Sequence, residues 1–440
     1  LLLDWAFDGR AIRILRGDPK APRAAFATAL AGTVAGLTVS MDRILVRFVD
    51  RAGEVAEKLV VTERYAGDNV PPDGVEGTPD DIKGQVKPYV VGEVENIRPI
   101  RVNSSKLIYQ VSAGQVAEIV AVYEGGNAIV QGVQRASVAA LEANAPDAGK
   151  WDYALTSAGS YIRLGSNPSL EITATVREGA DAAARTAGQI ASRLLQRAGV
   201  ASGDILGVDD LDAAAPGVVG WCAMGEAAVG EALDAVCGSV GAAWVPTRDG
   251  RFRLLRLEDP AGGTPVATLH WHDLIGDAAT AIRLLPTTDD DSGVPAYEVA
   301  LRYQRNWTVM TGSQVAGAVA QDRRDWLAQE WRTATASDPA VWDPEAETGR
   351  HPLSKPIRAE SLLRAEADAE AEAQRLLGLY GAPRLYLGVT VHAPAAAGID
   401  LGDVVALVVP RFGLDAGRQF AVVGMAEDFA AGTTDLFLWG

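Results

Sequence analysis

Short runs of β-branched and aromatic residues, separated by turns rich in glycine, proline and aspartate, recur along most of this chain, and they limit it to folds built mainly from strands. Period-two spacing over Ala11–Leu15, Gly32–Val39 and Arg43–Val49, with Ser40-Met41-Asp42 as a turn, predicts antiparallel strands and hairpins. Further strands are expected at Pro88–Gly92, Leu107–Val111 and Val116–Tyr123. The turn Glu124-Gly125-Gly126-Asn127 should reverse the last of these into Ala128–Val130. Residues 65–87 collect Gly, Pro, Asp and Asn with hardly any apolar side chain, so they read as a long surface loop. Near the C-terminus, Leu385–Val391, Asp403–Val409, Arg418–Met425 and Thr434–Trp439 complete the strand set.

Three segments break the pattern. Between Gly179 and Ala198 the apolar positions Ala183, Ala187, Ile190, Ala191, Leu194 and Leu195 recur at helical spacing. A second helix is expected over Ala227–Val240, followed by a hairpin turning at Arg248-Asp249-Gly250-Arg251, which together make a small α+β unit. A third, Ala359–Leu379, is dense in Ala, Glu and Arg, with Arg364 and Asp368 placed to pair at i, i+4. The fold class is therefore α+β and predominantly β. With 440 residues the chain exceeds one ordinary core and divides into several domains.

The formal charge of −17, from 40 Lys+Arg against 57 Asp+Glu, argues against a protein that grips nucleic acid by neutralising phosphates. It suits an ordinary acidic protein, or a conduit past which DNA slides without sticking. Cys222 and Cys237 match neither a CxxC pair nor a zinc ribbon and read as small core residues. No run of 18 apolar residues is present, so no membrane-spanning helix is expected. Leu1-Leu2-Leu3-Asp4-Trp5 reads like the middle of a domain.

Recognisable chemistry is sparse. His270 and His272 would share one face of a strand, with Asp273 adjacent, but a third metal ligand is missing and packing or surface roles are expected. Asp289-Asp290-Asp291-Ser292-Gly293 offers oxygen ligands without the later glutamate of a calcium loop and reads as a solvated turn. With 57 acidic residues, any pair of carboxylates chosen for glycoside hydrolysis is unspecific. GxSxG, Walker A and GxGxxG fingerprints are absent. Ten tryptophans suggest sugar stacking as a rival function, a carbohydrate-binding or carbohydrate-active protein, centred on residues 307–342 with Trp326, Trp331 and Trp342. Trp5, Trp244 and Trp439 sit among apolar strand residues and are expected in the core. No catalytic, cofactor-binding or metal residue is nominated.

Several segments in order resemble the tail-tip hub proteins of siphophages and related gene transfer agents, and the likeness spans most of the chain. They are Phe7-Asp8-Gly9-Arg10 with Gly17-Asp18-Pro19, Arg64–Gly67, Gly74–Gly77, Asp80–Gly84, Lys87–Gly92, Asn96-Ile97 and Leu107–Val111. Ser239–Trp244 with Arg248–Phe252 resembles the hub's α+β domain, and Leu401–Val405, Pro410–Leu414 and Leu436–Gly440 resemble its second tube-like domain. The resemblance implies two tail-tube-like β-barrel domains flanking a small α+β domain. The implied division is 1–62 (a partial first tube-like domain, since hubs usually carry more sequence before Phe7), 63–178 (β-rich, with the loop 65–87), 179–260 (α+β) and 261–440 (second tube-like domain with the helix 359–379). It also implies a homotrimeric ring in the virion tail tip. Its partners would be the distal tail protein, the tape-measure protein in the lumen and receptor-binding or fibre proteins, with no enzymatic site, cofactor or specific nucleic-acid binding.

Overall fold

The alternating segments build six sheets in the computed structural model, which describes residues 7–277, 280–286 and 294–440. At the N-terminal end, Ala11–Arg16, Ala27–Val39 and Ile44–Asp50 form an antiparallel sheet with the 13-residue strand in the middle. Asp50 then caps a short helix, Arg51–Ala56, by accepting from the Gly53 N–H at 2.9 Å, and Val55 enters the core of the helical layer.

Two five-stranded sheets face each other in the centre. One runs in the order Ile100–Asn103, Ile108–Ser112, Gly159–Leu164, Lys150–Thr156, Val130–Gln134; the other runs Gly220–Ala223, Tyr89–Ile97, Ile172–Arg177, Glu118–Glu124, Asn127–Ala128. Val94, Ile97, Ile119 and Val176 of the second sheet meet Val111, Trp151 and Ile162 of the first in one buried cluster. The turn after Glu118–Glu124 is the expected one, with Gly125 (φ 53°) and Gly126 (φ 79°) both left-handed, as a two-residue hairpin of this hand requires. The returning strand lasts only two residues before the chain crosses to Val130–Gln134 in the opposite sheet.

The 65–87 segment lacks regular structure, as expected, but it is pinned down. Tyr65 is buried, and its hydroxyl donates to Gln110 Oε1 (2.6 Å), whose amide donates to the Tyr161 hydroxyl (3.1 Å). Asn69 donates to the Val102 carbonyl, Asn103 donates to the carbonyls of Pro72 and Gly74, and Lys87 pairs with Glu76 at 2.5 Å. Side-chain amides and ion pairs here supply the partners that a sheet ladder supplies elsewhere.

The helical layer contains Ala187–Arg197, Val208–Ala214 and Val229–Gly238, packed on the strands Ile205–Leu206, Phe252–Arg256 and Ala242–Pro246. The first helix starts at Ala187, eight residues after the expected Gly179. Asp181 caps a separate turn by accepting from the Ala184 N–H, and Thr186 then restarts the chain, accepting from the Gln189 N–H and donating to Asp212. Gly220–Ala223 leaves this layer to pair with Tyr89–Gly92, so the sandwich and the helical layer share a strand.

In the C-terminal part, a six-stranded sheet runs Ala267–His270, Val404–Val408, Arg418–Asp428, Thr433–Trp439, Tyr386–His392, Ile282–Leu285. A smaller sheet, Arg332–Ser337, Glu298–Tyr303, Ile357–Glu360, carries the helix Glu366–Tyr380 on one face through Ala369, Ala373 and Leu377. The expected helix start at Ala359 is corrected. Ile357–Glu360 pairs in parallel with Val299–Arg302, and Ser361 donates to the Ser239 carbonyl at 2.7 Å, holding the chain extended until Glu366. Arg364 therefore precedes the helix and pairs with Glu95 (2.5 Å) in place of Asp368. Leu1–Trp5, including the core assignment of Trp5, and the acidic turn Asp289–Gly293 lie outside the described residues.

Candidate interaction surface

The N-terminal sheet carries an apolar face that is covered only at its base. The register puts Ile12 beside Gly32, Ile14 beside Leu30, Val34 beside Phe48, Leu37 beside Val46 and Val39 beside Ile44, all on one side. A bulge between Val34 and Gly36 preserves that alternation along the central strand. At the base, Leu30 and Phe48 border a small cavity of about 280 Å³ shared with Met425 and Phe429. At the tip, Val39, Ile44 and Val46 are exposed, and Met41 is fully so. The outer edge of Ile44–Asp50 pairs with no strand among the described residues. An open edge with apolar side chains is a template for association that free-standing monomers usually blunt.

Charge separates this sheet from the rest of the chain. Residues 1–51 hold 8 Lys+Arg and 5 Asp+Glu, a net +3, which leaves 32 against 52, or −20, for residues 52–440. The opposite face of the sheet adds Arg13 and Arg47.

A second, concave feature lies between the hairpin of the helical layer and the six-stranded sheet. It is an apolar cavity of about 670 Å³ walled by Val245, Leu255, Leu257, Val404 and Val423, with Glu258 and Asp259 at its rim. Behind it, the buried Glu372 pairs with Arg256 and, at 2.7 Å, with Arg375, tying the helix Glu366–Tyr380 to the hairpin. Each of these guanidinium groups has a partner and serves the wall.

The tryptophan-rich segment is built for packing. Arg323 lies 4.0 Å and Arg332 4.5 Å from the Trp326 ring centre, and Arg305 lies 4.3 Å from Trp307 and 5.2 Å from Trp331. Glu95 of the sandwich binds Arg323 at 2.9 Å and Arg364 at 2.5 Å, while Asn306, buried beside Asn96, donates to the carbonyls of Leu327 and Gln329. Faces of Trp307, Trp326 and Trp331 on which a sugar would stack are thus occupied by guanidinium groups, while Trp342 is half-buried. Trp439 is buried, as expected; Trp244 is only partly so, donating to Asp234 at 2.7 Å and stacking on Phe252.

His270 and His272 do not share a strand face. The strand ends at His270, Trp271–Asp273 forms a tight turn closed by the Asp273 carboxylate accepting from the His270 N–H (2.8 Å), and the two imidazoles stack on each other. Among the described residues, no cluster of three His, Cys, Asp or Glu is placed to hold a metal ion. Cys222 and Cys237 are free and buried, and burial pushes the Cys237 thiol up to about 12. No helix among the described residues is long and apolar enough to cross a membrane.

No protein-family profile matches the chain, and no curated protein matches it in sequence. Solved structures similar to it include tail and virion proteins. One comes from the virion of a native gene transfer agent particle, 16% identical over 86% of this chain and 91% of that one, with a TM-score of 0.49. The tail protein from Neisseria meningitidis MC58 is 13% identical over 81% of this chain and 94% of its own, at a TM-score of 0.34. The 43 kDa tail protein of prophage MuSo2 from Shewanella oneidensis is 14% identical over 81% and 96%, at 0.32.

Proposed function

We propose that this chain is a structural, non-enzymatic subunit of a long-tailed phage or gene-transfer-agent tail, acting as the hub of its tip. In this reading three copies form a ring in which the N-terminal sheet and the six-stranded C-terminal sheet serve as two tube-like lobes on either side of the α+β layer. The ring joins the distal tail protein and tube above to tip or fibre proteins below and surrounds the tape-measure protein. The observation that carries the reading is the open-edged N-terminal sheet, whose apolar tip is uncovered in the single chain and calls for an assembly to cover it. The ordered sequence segments that resemble tail-tip hubs supply the kind of assembly.

The acidic excess of the body then partly faces the lumen, where like-charge repulsion keeps DNA from adhering during ejection. Cryo-electron microscopy of the purified chain at high concentration, and on tails, tests the reading. A threefold ring with an acidic channel is expected; a persistent monomer or a closed dimer would sink the hub, and a basic channel would sink the charge argument alone.

A further inference from the structure

We infer that the N-terminal hairpin tip of one copy inserts into the 670 Å³ cavity of a second copy of this chain. One molecule carries both halves of the contact. The convex half is the tip Val39–Val46, with Met41 fully exposed at its apex. The concave half is the cavity whose apolar wall ends in the exposed Val423. Val39, Met41 and Ile44 are unbranched or β-branched aliphatic side chains on a two-stranded rib, a shape suited to a slot between two packed layers.

Charge selects a second copy as the occupant. The tip belongs to the basic 1–51 segment, at +3, and the cavity belongs to a body at −20. The complementarity lies in these net charges of the two regions, since the charges at the contact are paired within the chain: Arg43 after the apex with Asp42, and the rim carboxylates Glu258 and Asp259 with Arg256 and Arg384. Opposite fields on the two halves steer them together and disfavour tip-to-tip pairing. Because the two patches differ, the contact is heterologous, and repeated copies close into a ring or grow as a filament. The inference rests on the ring reading only in requiring more than one copy.

The full-length chain serves for the test. Single variants Met41→Cys and Val423→Cys are mixed and oxidised mildly, with Met41→Cys plus Val130→Cys as the control pair, because Val130 is exposed on the distant sandwich. The native Cys222 and Cys237 are buried, so the unmodified chain gives the background. A between-chain band specific to the 41/423 mixture is expected, and sedimentation of Met41→Asp should show self-association weakened about ten- to hundredfold with unchanged circular dichroism. An assembly that forms normally with Met41→Asp and shows no 41/423 preference overturns the insertion and leaves the ring standing. A chain that remains monomeric overturns both. A within-chain 41–423 disulfide in the dilute double variant also overturns the insertion, since the cavity would then belong to the molecule's own hairpin.

Discussion

The N-terminal sheet and the central sandwich are made from similar β-rich sequence, yet they use it in opposite ways. In the sandwich, Trp151, Ile162 and Val94 are closed off between two sheets, and the buried Asp152 is held by Arg135 at 2.5 Å. In the N-terminal sheet, an equally apolar face ends in open solvent. Burial within one chain makes the first region a source of stability. The second is a surface whose apolar area gains only when another molecule covers it.

That contrast can be broken by substitution. Trp151→Ala in the sandwich removes the largest fully buried side chain among the described residues and its Nε1 donation to the Ile129 carbonyl (3.1 Å). It should cost about 3–5 kcal/mol in chemical denaturation, and a loss below 1 kcal/mol would refute the division of labour. Glu95→Gln strands Arg323 and Arg364. A loss of about 2–3 kcal/mol is expected, with hydrogen exchange accelerating first in residues 306–332 if the pair anchors that segment. Tyr65→Phe leaves Gln110 without its donor and should cost about 1–2 kcal/mol, with protease sensitivity rising across 65–87.

By contrast, Val46→Ser at the hairpin should change the stability of the dilute chain by less than about 0.5 kcal/mol; a larger loss would mean that the tip is packed after all. The smallest effect is expected at Asp400, which borders the cavity at the base of the sheet. Burial raises its pKa, so its neutral form is favoured by folding and its contribution is lost as pH rises through that folded value. Asp400→Asn should therefore raise the melting temperature slightly at pH 7 and not at about pH 3 or below, where the carboxyl is largely protonated in both states. An equal gain at both pH values would assign the effect to packing.

Most strands were legible because period two survives wherever one face is buried and the other is wet. The pattern fails in Gly159–Leu164, where both faces are buried and the alternation vanishes, so that strand and its partner Lys150–Thr156 escaped notice. Helix starts were misplaced for a different reason. Ser361, Arg364 and Thr186 are fixed by Ser239, Glu95 and Asp212, partners far away in sequence, and no local propensity encodes them. The exposed tip was readable as a strand and not as a surface, because Ile44-Leu45-Val46 reads the same whether a neighbouring layer covers it or water does. The histidine reading failed at a strand end: the turn closed by Asp273 takes His272 out of the strand, and the two imidazoles meet by stacking on each other instead of across one strand face.

The strand Gly220–Ala223, contributed by the helical layer and hydrogen-bonded into the sandwich, has a mechanical meaning. A shear between these two bodies must unzip four ladder positions at once, so the joint resists rotation as a weld does and leaves no hinge there. Under load this junction is expected to transmit tension, and compliance is left to the edges of the molecule.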